Sequence, residues 1–366
     1  MIQERKYQLC LLTGILLLIA LLSVGCRKPL EEPRQVLTKA IEKSLLINTS
    51  EKETNLELSI TLESEEYTDP QTEVLLGLFN RVRLWIHTLQ DIDDLTSHIR
   101  GGLEVSGILF PFEIYSTEKL LAVNVPGLAT LLNEPRFQNG YVVLHIDEIL
   151  TELDSQSTNA NRLMIERLKD REISSHIAGI LMKQALGALS DEAIEDLGEK
   201  TIDFGDGQVK VRQINLHLNE TEFRSLGEAL PALFLDPDIQ EFLFEIQQSE
   251  NPDRSREVFQ EEMDEFLSAV TPIIEKGLDH IIEQLDMEAS HCIIQLSITD
   301  EYRIIRSHWD VSAKILIDTG KVLVGTLEAV TDIQMVNEPV TVEIPEFNKE
   351  NTIDLMELLW LMMFAF

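Results

Sequence analysis

The sequence predicts an α+β fold, a curved antiparallel β-sheet (a half-barrel) packed on inserted amphipathic helices. Three observations predict it. Residues 55–63 alternate without a fault, Leu56, Leu58, Ile60 and Leu62 against Asn55, Glu57, Ser59, Thr61 and Glu63, the period-two mark of a strand with one dry and one wet face. The middle of the chain carries apolar residues at helical spacing instead. The last quarter returns to alternation, beginning with Cys292, Ile294, Leu296 and Ile298. A sheet bracketing helices in this way buries both sets of apolar surface by folding one around the other.

The elements follow in chain order. Arg5 and Lys6 precede an apolar run over 9–24 that ends in Gly25 and Cys26. A charged head, an apolar stretch and a small residue before a cut describe a signal peptide, here 1–25. The run is shorter than the ~20 residues a spanning helix needs. Leu22-Ser23-Val24-Gly25-Cys26 resembles a bacterial lipobox, with Ser23 where leucine is usual and Leu22 one place earlier. The resemblance implies cleavage before Cys26 and acylation of its sulfur. Residues 26–35, charged and holding Pro29 and Pro33, read as the acylated cysteine and a short tether.

Residues 36–353 read as a single large domain, with a helical insertion at about 147–200. A helical stripe covers 36–46, the faultless strand 55–63 follows, and 73–88 reads as helix or mixed structure. Strands return over 101–125, with Gly107 as a bulge that resets the register, and again at 141–146. Helices are expected at 147–153, 161–169, 174–189 and 191–197. Gly205-Asp206-Gly207 makes a turn into a strand over 209–218 whose parity shifts at Arg212-Gln213. Asn219 caps a helix over 222–234, Asp236-Pro237 starts another reaching about Gln247, and 256–285 is one long amphipathic helix containing Pro272. A meander of strands at 292–298, 302–317, 322–335 and 340–344 closes the sheet before Pro345. The segment 354–366 is an apolar helix, too short to span a bilayer and greasy on every side.

Composition excludes whole classes of function. Apolar residues make up 44% of the chain, enough for a substantial core. The formal charge is −34, from 64 acidic against 30 basic residues. Such a surface repels nucleic acid, which is bound by neutralising phosphates. It does not lie flat on anionic lipid. Of three cysteines, Cys10 falls in the leader and Cys26 is the lipid site, so Cys292 has no disulfide partner within the chain and reads as a small buried hydrophobe.

No constellation of catalytic residues emerges. None of the eight histidines falls in a His-Glu-x-x-His spacing, and there is no Gly-x-Ser-x-Gly elbow, phosphate-cradling glycine loop or Cys-x-x-Cys pair. Asp91, Asp93 and Asp94 imitate the start of a calcium loop but lack its glycine and distal glutamate. Asp203, Asp206, Asp236 and Asp238 sit in turns, where carboxylates cap backbone. The expectation is a protein without enzymatic activity, cofactor or metal.

The lipobox, the helix feeding a long alternating strand, the helical insertions and the closing meander together resemble the LolA/LppX half-barrel lipoproteins. The run from Asp300-Glu301-Tyr302-Arg303 to Pro339-Val340-Thr341-Val342-Glu343-Ile344-Pro345 also resembles uncharacterised lipoproteins of Firmicutes. The half-barrel resemblance implies lipid or lipoprotein cargo in a cavity between sheet and helices. No functional residue transfers with it. The sequence therefore favours a lipid-anchored protein on the outer face of the cell membrane, or its periplasmic side, with a structural or interaction role and a protein partner through 355–366. The alternative is a half-barrel carrier for an apolar ligand such as lipid, its cavity lined by Leu58, Ile60, Phe110, Phe112, Leu296 and Ile298.

Overall fold

In a computed structural model, which describes residues 31–63, 77, 80–146, 171–317, 321–355 and 358, strands and helices are interleaved along the chain. Helix α1 (Pro33–Ser44) leads into β1 (Thr49–Glu63), β2 (Val82–Asp91), β3 (Thr96–Val105), β4 (Ile108–Ser116) and β5 (Leu120–Asn124). Short α2 (Gly127–Leu131) and a 3-10 turn (Pro135–Gln138) precede β6 (Tyr141–His145). Helix α3 (Arg171–Ala188) is followed by β7 (Ile194–Phe204) and β8 (Gly207–His217), then by α4 (Glu220–Leu233), α5 (Pro237–Glu250) and α6 (Arg256–Gln284). The chain returns through β9 (His291–Ile298), β10 (Ile304–Ile317), β11 (Lys321–Gln334) and β12 (Thr352–Ile353).

The twelve strands of the described residues belong to one open sheet, in the order β12-β6-β5-β4-β3-β2-β1-β11-β10-β9-β8-β7. Every pairing is antiparallel except the short parallel contact of β12 with β6. The predicted α+β class with a large antiparallel sheet is what the structure has, and an open sheet of this kind is compatible with half-barrel curvature. Cross-strand partners point to the same side, so the registers can be followed across the sheet. Leu58 pairs with both Val82 and Leu327, Val82 with Val105, and Val105 with Ile108. In the other direction Leu327 pairs with Val311 and Val311 with Cys292. One face is thereby apolar, and the opposite face carries Glu57, Arg83, His87, Arg100, Glu113, Asp310 and Asp332.

Helix α1 and the end of α3 meet the apolar face at its β7–β9 end. The main core cluster there joins Val36, Leu37, Ala40 and Ile41 of α1 with Leu186, Leu189, Ala193, Ile194, Ile214 and Ile298. A second cluster at the opposite end joins Ala129, Phe137, Val142 and Ile353, with Leu355 and Leu358 packed against it. The beginning of the 354–366 segment thus lies against the protein's own core, and the rest falls outside the described residues. So do the leader 1–25, Cys26, residues 27–30, and the expected helices at 147–153 (apart from its approach at Ile146) and 161–169.

The structure corrects five local expectations. The 73–88 segment is strand from Val82 onward, because Val82, Leu84 and Ile86 extend the apolar face beside Leu58, Leu56 and Thr54. Gly107 is no bulge: Ser106 and Gly107 have φ of 51° and 80° and close a two-residue hairpin in which Val105 faces Ile108, the turn that matches strand twist. The helix expected at 191–197 gives way to β7 from Ile194, where Ile194 enters the core. The parity shift placed at Arg212-Gln213 is on the partner strand, between Asp196 and Gly198, while β8 itself keeps an unbroken register with β9. Val211 and Ile214 are both buried, though of opposite parity, because the β7–β8 tip folds back and its Asp203 carbonyl accepts from Arg306. Lastly, 340–344 is not a strand. Held between Pro339 and Pro345, it is part of a strap that crosses the polar face and packs the Phe347 ring on Tyr115 and Tyr141.

A close approach inside the sheet sets one position strictly. A Cβ on Gly101 would lie 2.4 Å from the Phe112 ring and 2.7 Å from the Trp85 carbonyl oxygen, and the backbone atom has no room to retreat. Gly101→Val is expected to lower stability by ~1–3 kcal/mol through overpacking, measured by urea unfolding. A change below ~0.5 kcal/mol would show that β3 adapts freely and that this contact does not fix the sheet.

Candidate functional site

A cleft of about 1290 Å³ opens beside α1 and α3. Its walls follow from how the two helices are seated. Val36, Leu37, Ala40 and Ile41 turn α1 toward the sheet, which leaves Thr38, Glu42 and Leu45 along the next stripe of the same helix to face the opening. On α3 the facing stripe is His176, Ile180, Lys183 and Gly187, again at helical spacing. Ala229 of α4, with Asp236 and Asp238 at the start of α5, completes the lining together with Leu46, Asn48, Ser175, Gly179 and Leu186.

Hydrogen bonds hold the walls at both ends. Arg34, at the start of α1, donates to the carbonyls of Leu186 and Leu189 at the end of α3, the latter at 2.8 Å, and pairs with Asp191 at 2.8 Å. A cation there satisfies the last carbonyls of the helix and complements its dipole. At the other end Ser175 donates to the Leu45 carbonyl at 3.4 Å. His176 Nε2 reaches Asp238 Oδ2 at 2.8 Å, tying α3 to α5, and Asp236 caps α5 by accepting from the Asp238 amide at 3.0 Å. The result is a largely apolar trough whose lining includes three acids, Glu42, Asp236 and Asp238, beside Lys183 and His176. Its volume exceeds the ~300–1,000 Å³ usual for small-ligand sites, so a flexible chain has room in it. A smaller hollow of about 400 Å³ lies among Phe234, Leu243, Phe259, Met263 and Phe266.

The six residues predicted to line a cavity lie on one face of the sheet, yet none of them lines this cleft. Ile298 is fully buried in the main core and Leu296 packs against it. Leu58 and Ile60 are half-buried in mid-sheet, Phe112 lies over Gly101, and Phe110, 39% exposed, rests near Gly127. The cleft residues were missed because α1 and α3 each read as ordinary amphipathic helices. The signal that bears on them is the pair of glycines, Gly179 and Gly187, on the inner stripe of α3.

The polar face holds the densest titratable cluster among the described residues. Glu113 accepts from Tyr141 at 2.6 Å and Tyr115 at 3.1 Å, with His98 Nε2 at 2.8 Å and Arg100 at 3.8 Å. Burial pushes its pKa up, but the bonds from Tyr141, His98 and Tyr115 outweigh that and hold it below the ordinary glutamate value. Burial and the neighbouring carboxylate push Tyr141 well up. His98 stacks on Tyr115 with ring centroids 4.3 Å apart, and Phe347 of the strap covers both tyrosines, Tyr115 and Tyr141. A carboxylate engaged by three donors beneath a strap acts as a strut, since a general base needs a lone pair facing its substrate. No group of three or more histidine, cysteine, aspartate or glutamate side chains suited to a metal ion occurs among the described residues. Burial, then Asp310, raises the Cys292 thiol, which disfavours the reactive thiolate.

Compared with models of protein families and with curated proteins, the sequence matches none.

Glu113 makes the stability of the polar face depend on pH. A carboxylate with a depressed folded pKa adds stability that is fully present above its unfolded value, ~4.3, and is lost as pH falls through the folded one. Glu113→Gln should therefore cost ~1–3 kcal/mol at neutral pH by leaving buried donors poorly paired, with the gap to wild type closing at acid pH. Thermal melts across the range from neutral to about pH 3 measure it. A gap that stays constant over that range would mean the charge on Glu113 contributes nothing.

Proposed function

We propose that the chain is a non-catalytic, lipid-anchored extracytoplasmic protein that holds an apolar ligand in the cleft between α1 and α3. The single observation that carries the binding half is the cleft itself, whose walls offer Ile41, Leu45, Leu46, Ile180, Leu186 and Ala188 to an occupant. Concave, mostly apolar sites with a few polar groups at one side suit ligands of this class. The anchoring half rests on the leader and on Cys26. Two or more acyl chains, at ~0.8 kcal/mol per buried methylene, hold where one would not. Both support a position at the outer face of the cell membrane or its periplasmic side. In this reading the open sheet is a half-barrel curved over its helices, as in the lipoproteins it resembles, but the cargo lies between helices and not against the strands named from sequence. Neither nucleic acid nor a cofactor is part of the proposal.

A structural or interaction lipoprotein is the second reading, favoured by the apolar β3–β4 hairpin. Ile108 and Leu109 are 61% and 53% exposed there, next to Leu103 and Phe110. A protein contact through 355–366 belongs to the same reading, although Leu355 and Leu358 already pack on the chain's own core.

Native mass spectrometry of protein purified from its membranes tests the first reading. An apolar small molecule is expected with wild type. It should be depleted in Gly187→Phe, because a Cβ at Gly187 meets nothing within 4 Å and a ring there juts into the cleft at little cost to the fold. No bound molecule in either, with no uptake of a neutral naphthylamine probe, removes the binding reading and leaves the interaction one. Separately, Cys26→Ala should abolish palmitate labelling and release the protein from the detergent phase. Unchanged labelling would refute the anchor.

A further inference from the structure

We infer that the ligand of the cleft is a single-chain amphiphile with a cationic, amine-type head, an inference that rests on the binding reading above. The cleft presents two chemistries in different places. Its walls are aliphatic, formed by Ile41, Leu45, Ile180 and Leu186. Its polar lining is unbalanced in charge: Glu42, Asp236 and Asp238 supply three carboxylates, against one ammonium from Lys183 and the imidazole of His176.

The imidazole is taken up by Asp238 at 2.8 Å, which leaves Glu42 and Asp236 against Lys183. Asp236 turns one oxygen, Oδ1, to the Asp238 amide in capping α5. An incoming carboxylate or phosphate head would meet repulsion from Glu42 and Asp236, and a hydroxyl head would gain only hydrogen bonds. An ammonium head gains attraction from the same acids while its chain lies along the aliphatic walls. Repulsion of the wrong charge is the stronger discriminator, as in other sites that select by penalising a competitor. The wider surface, at −34, acts in the same direction but is screened beyond about 8 Å at physiological salt, so head-group choice falls to the rim.

The test is displacement of bound N-phenyl-1-naphthylamine from the full-length mature protein by dodecylamine, dodecanol and dodecanoate, each below its micelle concentration. Dodecylamine is expected to displace the probe at roughly tenfold lower concentration than dodecanoate, with dodecanol between them, and raising salt should narrow the gap. Glu42→Gln with Asp236→Asn and Asp238→Asn should bring the three ligands together. Asparagine keeps the helix cap, so this variant is expected to remain folded and to bind the neutral probe as wild type does. Equal displacement by all three, or a preference for dodecanoate, overturns the cationic head while leaving apolar binding standing. An amine preference that survives in Gly187→Phe reports adsorption to the acidic surface and also overturns it. Failure of the probe to bind wild type removes the binding reading and this inference together.

Discussion

The seating of α1 on the sheet is the contact on which the rest depends. Leu37 and Ala40 of α1, with Ile214 on β8 and Ile298 on β9, are completely shielded from solvent. Burying each large aliphatic side chain contributes ~1.5–3 kcal/mol, and Cys292 is free, so among the described residues no disulfide adds to such contacts. Because that side of α1 is taken by the sheet, its adjacent stripe is free to form a wall. Arg34 then brings the end of α3 against the start of α1, which sets the width of the cleft. If Cys26 carries the proposed anchor, the chain from there to Pro33 spans at most ~3.5 Å per residue. The cleft wall would then begin within roughly 25 Å of the bilayer.

The two faces of the sheet are held by different forces. On the apolar side, area removed from water dominates. On the polar side, ion pairs join neighbouring strands: Glu57 with Arg81 at 2.7 Å and Arg83 at 3.1 Å, and Arg306 with Asp332 at 2.5 Å. Exposed pairs of this kind contribute little net stability. Their value is directional, since a strand slipped by one residue would turn those charges into the core. The strap over β4–β6 adds ring packing to the same face and delivers the chain to β12, which is how a two-residue strand comes to pair parallel with β6.

Legibility in the sequence tracked how local each cause was. The alternation of β1 and β9 is readable because apolar residues recur at every second position over 55–63 and 292–298. The start of α4 was readable because Asn219 caps it within three residues, accepting from Thr221 and Glu222. Where a tertiary partner decides, the reading failed. Val82, Leu84 and Ile86 make a strand only beside β1. The strap reads as a strand until Phe347 is seen to find its partners on other strands. The bulge opposite β8 is invisible from β8 itself. For the same reason the faces of the strands are legible as candidate linings, and a cleft between two amphipathic helices is not.

Charge can be weighed in the same local terms. With 64 acids against 30 bases, most of the surface must carry unbalanced carboxylates, and the total says nothing about any one place. On the polar face the acids that matter to structure are matched by Arg81, Arg83, Arg100 and Arg306. At the cleft the matching cations are fewer than the acids that line it. An apolar chain entering there gains from desolvation whatever its head group. The head group alone senses the imbalance, over distances shorter than the screening length. The walls therefore set whether an amphiphile is held, and the rim sets which one.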